Sequence, residues 1–159
     1  MLKFISSLVV GAALVIGSAA AGASGAADSV VGTWTLDLAK SRFDPGPAPK
    51  SQTRTYAATA DGIDLTVEGV AADGSKVSQH SSYKYDGKDY AITGAADYDT
   101  LSLKRIDANR VESEQKKGGK VVGHTVRTVS ADGKTMTLDS KGTDSKGGKY
   151  KNVMVFDRK

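Results

Sequence analysis

The turn-forming dipeptide Asp-Gly recurs at 61–62, 73–74, 86–87 and 132–133, and Asp107-Ala108-Asn109, Gly118-Gly119 and Gly147-Gly148 punctuate the chain in the same way. Asp-Gly tolerates the positive φ of a tight hairpin turn. Turns this closely spaced leave no room for long helices. Between them the chemical period is two. Ile63, Leu65 and Val67 alternate with Asp64, Thr66 and Glu68; Val111, Ser113 and Gln115 with Glu112, Glu114 and Lys116; Met136 and Leu138 with Thr135, Thr137 and Asp139. That alternation is the mark of strands with one inward and one wet face. It predicts strands near 31–38, 51–60, 63–71, 75–85, 88–93, 98–107, 110–117, 120–130, 134–141 and 149–157. Strands joined in sequence by tight turns form a meander, and a long meander must close or leave two exposed edges. The expected fold is all-β: an up-and-down antiparallel barrel of eight to ten strands. A two-sheet sandwich is the alternative, but it needs long crossovers and only one long connection is visible, 39–50. Pro45, Pro47 and Pro49, all the prolines of the chain, fall in it. Proline fixes φ and removes a donor, so this segment should be a stiff loop across one open end, covering the core or forming a mouth.

Ahead of this pattern stands a different one. Lys3 is the sole charge before Asp28, and Phe4 to Ile16 is an apolar run interrupted by Ser6, Ser7 and Gly11. Ala21-Gly22-Ala23 offers small residues where a signal peptidase cuts. Residues 1–23 read as a secretory signal peptide with cleavage after Ala23, 24–29 as a disordered lead-in, and 30–159 as a single barrel domain. The apolar run is short of the roughly 20 residues that span a bilayer. Export implies a bacterial periplasm or the cell exterior. The chain has no cysteine, which excludes disulfide scaffolds, thiolate-held metals and thiol nucleophiles. Burial alone must then stabilise the domain, and a chain of this length buries enough surface for one core.

The opening Gly32-Thr33-Trp34, followed by Ala39-Lys40-Ser41 and Pro45, then a ten-strand meander closing on Val153 to Lys159, resembles the calycin superfamily. That superfamily comprises lipocalins and intracellular fatty-acid-binding proteins, and the closer likeness is to small exported lipocalin-like proteins of bacteria. The resemblance implies a barrel whose bottom is closed by Trp34 with an arginine of a late strand stacked on it; Arg158 and Arg127 are both candidates. It also marks departures. The 12 residues of 39–50 have no space for the two portal helices of fatty-acid-binding proteins. The positions of their carboxylate-holding Arg-x-Tyr pair are Met154 and Phe156 in this chain.

Catalytic patterns do not emerge. His80 and His124 stand without a cysteine or close carboxylate cluster, so no zinc site is expected. No nucleophile elbow or phosphate loop occurs. The aspartates sit mostly in turns and do not complete a calcium loop. The expectation is a protein that is not an enzyme and needs no cofactor or metal. The net charge of +4 is concentrated in the last third, at Lys116, Lys117, Lys120, Lys141, Lys146, Lys149 and Lys151. With only Tyr150 beside these lysines, nucleic-acid binding is not expected; weak contact with an anionic envelope surface is the partner such charge allows. Period-two phasing puts Arg54, Tyr56, Gln79, Ser81, Tyr83, Ser113, Gln115, Arg127, Tyr150 and Asn152 on inward faces. Small barrels can hold one ligand between apolar walls and a few placed polar groups. Tyr56, Tyr83, Gln115, Arg127 and Tyr150 are the candidate ligand-binding residues for a small apolar or amphipathic molecule, in a protein expected to be monomeric. A filled barrel acting as a structural or interaction module through its lysine-rich rim is the alternative.

Overall fold

The computed structural model describes residues 27–159; the expected signal peptide and residues 24–26 lie outside them. The described chain is ten strands: β1 (Gly32–Asp44), β2 (Ser51–Ala58), β3 (Ile63–Val70), β4 (Lys76–Tyr83), β5 (Asp86–Ala91), β6 (Thr100–Arg105), β7 (Arg110–Lys117), β8 (Lys120–Val129), β9 (Thr135–Thr143) and β10 (Lys149–Arg158). No helix occurs among the described residues. Every ladder is antiparallel, and the order across the sheet is β4-β3-β2-β1-β10-β9-β8-β7-β6-β5. The first strand therefore pairs with the last, and the ends of the sheet, β4 and β5, come back to face each other. There the ladder shrinks to one bridge, His80 to Thr93. The expected up-and-down barrel is the fold of this protein, nearly closed.

Alternation places the core as the sequence foretold. Ile63, Leu65 and Val67 of β3 are buried, as are Met136 and Leu138 of β9 and Phe156 of β10. At one end Trp34 is fully buried and its Nε1 donates to the Val30 carbonyl at 2.7 Å. The Arg158 guanidinium lies 4.1 Å from the Trp34 ring centroid, so Arg158, and not Arg127, is the cation on the tryptophan. Arg158 also donates to the carbonyls of Gly133, Val31 and Ser29 at 2.6, 2.7 and 2.6 Å. Gly32 explains the Gly-x-Trp motif. Its φ is +137°, which favours glycine, and a Cβ there would lie 2.5 Å from Arg158 Nη1, so the guanidinium would have to shift. In the expected lead-in, Ser29 Oγ donates to the Ala108 carbonyl at 3.2 Å, and Asp28 Oδ2 takes a 2.5 Å ion pair from Arg105.

Most strand bounds shift by one or two residues; the largest difference is at the end of the first strand. β1 runs on to Asp44 through a bulge between Asp37 and Arg42, so the proline-rich connection is confined to residues 45–50. Ser41 makes the continuation possible. Its Oγ donates to the Asp37 carbonyl at 2.6 Å and accepts from Val155 N at 2.9 Å, replacing the ladder bonds the bulge removes.

Candidate ligand-binding cavity

Strand direction gives the barrel two ends. Trp34, the 83–86 connection and the 129–135 turn form the floor; residues 45–50, 92–99, 117–120 and 143–149 ring the mouth. Between them lies a cavity of about 330 Å³, so the interior is hollow. The inward set repeats every second residue: Gly123, Thr125, Arg127 and Val129 on β8, and Tyr150, Asn152, Met154 and Phe156 on β10. Leu65, Leu101, Leu103, Val111, Leu138 and Met154 supply apolar walls.

The polar groups fall on two levels. Near the floor stands Arg127, only 6% exposed. Its Nη1 donates to Tyr83 Oη at 3.2 Å and its Nη2 to Tyr85 Oη at 2.7 Å. The guanidinium also lies 5.2 Å from the Tyr56 ring centroid and 5.5 Å from that of Tyr85. No carboxylate among the described residues forms an ion pair with it. Asp28 is engaged by Arg105, whose guanidinium also lies 4.2 Å from the Tyr85 ring centroid. Burial opposes the charge on Arg127, but the phenol oxygens of Tyr83, Tyr56 and Tyr85 outweigh it and hold its pKa above the ordinary arginine value. Burial raises the pKa of Tyr83 and Tyr85 as well. At neutral pH the guanidinium is hydrogen-bonded to the protonated Tyr83 and Tyr85, with donors left over.

The upper level is a row across four strands, in which Gln115 pairs with Gly123, Gly123 with Gly142 and Gly142 with Tyr150. Glycines are needed there: a Cβ on Gly123 would sit 2.7 Å from Gln115 Oε1 and 2.8 Å from Tyr150 Oη. Four residues of β8 separate Gly123 from Arg127, roughly 13 Å of strand. Burial raises the Tyr150 pKa, so its phenol keeps its proton.

Tyr56, Tyr83, Gln115, Arg127 and Tyr150, the five candidates from the sequence, all line this one cavity, as do Arg54, Gln79, Ser113 and Asn152. Ser81 does not: it is buried, and its Oγ donates to the Ala91 carbonyl at 2.8 Å. His80 is exposed on the outer face with Nε2 2.8 Å from Asp64 Oδ1, and His124 Nδ1 lies 3.2 Å from the Ser113 carbonyl oxygen. Sequence reasoning missed Tyr85 at the floor and Asp97, Tyr98 and Asp144 at the mouth. Loops have no period to read. Asp97 Oδ1 accepts from Ser145 N at 2.9 Å, tying two mouth loops together, while residues 45–49 do not line the cavity.

No protein-family model and no curated protein sequence matches the chain. Solved structures do. Zebrafish ileal bile acid-binding protein, crystallised with cholic acid, superposes with a TM-score of 0.54 over 82% of this chain and 99% of its own, at 10% identity. A redesigned β-barrel solved with bound DFHBI gives a TM-score of 0.44 at 13% identity, covering 82% of this chain and 95% of its own. The first likeness is one of architecture: an all-β, up-and-down antiparallel barrel.

Proposed function

We propose that this protein is a non-enzymatic binder of a small amphipathic ligand, whose acidic end docks on Arg127 and whose apolar body lies along the cavity walls. One observation carries the reading: a buried guanidinium lines the floor of the hollow with no ion-paired carboxylate among the described residues, the cavity's own carboxylates, Asp97 and Asp144, standing at the mouth. An unpaired buried charge is costly, and an anionic ligand removes that cost by forming charge-assisted hydrogen bonds. The cavity is at the small end of the roughly 300–1,000 Å³ range of ligand pockets. Exposed lysines at the mouth end, Lys120, Lys146 and Lys149 among them, favour the approach of anions. The bile acid-binding protein of like fold holds an amphipathic acid, and that supports the reading by analogy only.

Decanoate and decanol, titrated separately against the purified protein in thermal melts, test it. Decanoate should raise the melting temperature in step with its concentration, and decanol much less. Equal shifts, or none, overturn the reading.

The location belongs to the same proposal. The pattern of residues 1–23 favours export to a bacterial periplasm or beyond the cell; a purified protein that begins at Ser24 would support it, and one that retains Met1 would not. The monomeric state is likewise proposed and is read by light scattering. A second reading, surface contact with anionic envelope components, is favoured by the lysines at the mouth end. It predicts salt-sensitive binding to anionic vesicles by a protein that decanoate leaves unstabilised.

A further inference from the structure

Gln115 is 7% exposed, and its Oε1 has no hydrogen-bond partner among the described residues. A buried carbonyl oxygen left in this state is rare and costly. The rest of the side chain is held in place. Nε2 donates to Ser113 Oγ at 3.2 Å and to Thr125 Oγ1 at 3.1 Å, and Thr125 Oγ1 lies 2.9 Å from Ser140 Oγ. With the amide nitrogen so engaged, the oxygen points the other way. It packs over Gly123, where an added Cβ would meet both this oxygen, at 2.7 Å, and the Tyr150 hydroxyl, at 2.8 Å. Both residues line the cavity, one level above Arg127.

We infer that Gln115 is a specificity-determining residue, and that the ligand carries a hydroxyl group remote from its acidic end which donates to Gln115 Oε1. The Tyr150 phenol is placed to donate to the oxygen of the same hydroxyl. The ligand class is thus a hydroxylated amphipathic acid, its two polar ends spaced to match the two levels of the barrel. This inference rests on the proposed docking of the acid at Arg127.

The test compares ligands that differ at the far end. Isothermal titration of the wild-type protein uses decanoate, 10-methoxydecanoate and the hydroxy acids 8-hydroxyoctanoate, 10-hydroxydecanoate and 12-hydroxydodecanoate, with octanoate and dodecanoate as length controls. At the chain length that fits, the hydroxy acid should bind about tenfold tighter than its unsubstituted parent. The methoxy acid, which can accept from Tyr150 but cannot donate to Gln115, should bind more weakly than its hydroxy analogue. In Gln115→Met the preference for hydroxyl should fall to within about twofold. The wild-type comparison stands even if that variant does not fold. Parent acids that bind as tightly as every hydroxy acid overturn this inference and leave the docking at Arg127 standing. A methoxy acid that matches its hydroxy analogue shows that the amide presents its nitrogen, and also overturns it. If no acid of any length binds, both readings fall together.

Discussion

The Ser81 hydroxyl donates to the Ala91 carbonyl oxygen at 2.8 Å, across the line where the first and last strands of the sheet, β4 and β5, meet. Beside it His80 N donates to the Thr93 carbonyl at 3.2 Å and Thr93 N to the His80 carbonyl at 2.9 Å. These few bonds do at the seam what a full ladder does elsewhere. Ser81→Ala should cost about 1 kcal/mol and lower the melting temperature by about 2–5 °C. Hydrogen exchange should quicken at the His80 and Thr93 amides first; a uniform change across the barrel would show that the seam is not a local weak point.

Arg127→Met separates binding from folding. Truncating one partner of a buried charged contact costs about 2–5 kcal/mol of affinity, so decanoate should bind at least about thirtyfold more weakly. The ligand-free variant should melt lower than wild type, because the Tyr83 and Tyr85 hydroxyls lose their donor, at a cost of about 1–3 kcal/mol, yet still unfold in one cooperative transition. Calorimetry on both proteins reads the two effects together. Unaltered affinity would exclude Arg127 as the partner of the acid.

Gly32→Ala adds a side chain at φ +137° and against Arg158. A cost of about 2 kcal/mol is expected, since such backbone strain is worth on the order of 1–3 kcal/mol. Trp34 is the sole tryptophan, so its fluorescence during urea unfolding reports this end of the barrel directly. A midpoint like that of wild type would mean the arginine moves aside without loss.

Asp28 gives the floor an acid-sensitive tie. Burial opposes its charge, but the Val30 amide, Arg105 and Tyr85 outweigh burial and hold its pKa below the ordinary carboxylate value. A group whose pKa is depressed by folding stabilises the protein above its unfolded pKa, about 3.9, and the contribution fades as pH falls through the lower folded value. Asp28→Asn should therefore melt lower than wild type at neutral pH, and the gap should close below about pH 4. A gap that persists undiminished into acid would rule out the ionised carboxylate as its source.

Turn chemistry and alternation made the ten strands readable, because every Asp-Gly and every polar-apolar step is a local signal. The inward residues were readable for the same reason: within β7, β10 and residues 123–129 of β8 the phase holds, and one step fixes the rest. What was hidden depends on pairing between distant strands. The choice between Arg158 and Arg127 for Trp34 turns on the register in which Trp34 faces Arg158, and no segment carries that alone. The bulge at 38–41 was hidden too, since Ser41 takes its role only from Val155 on the far side of the chain. Hollow or filled could not be settled from alternation, which says where side chains point and not whether they meet.

The pairing of β1 with β10 also sets a timetable. Arg158 lies 127 residues beyond Val31, whose carbonyl it binds. While the polypeptide is emerging from a ribosome, the indole of Trp34 has no cation to cover it and β1 has one neighbour instead of two. Closure must wait until β10 has been made, and topologies dominated by such remote contacts assemble slowly, in milliseconds to seconds. The protein spends that interval as an unclosed sheet, which is when sticking to other chains is its chief hazard.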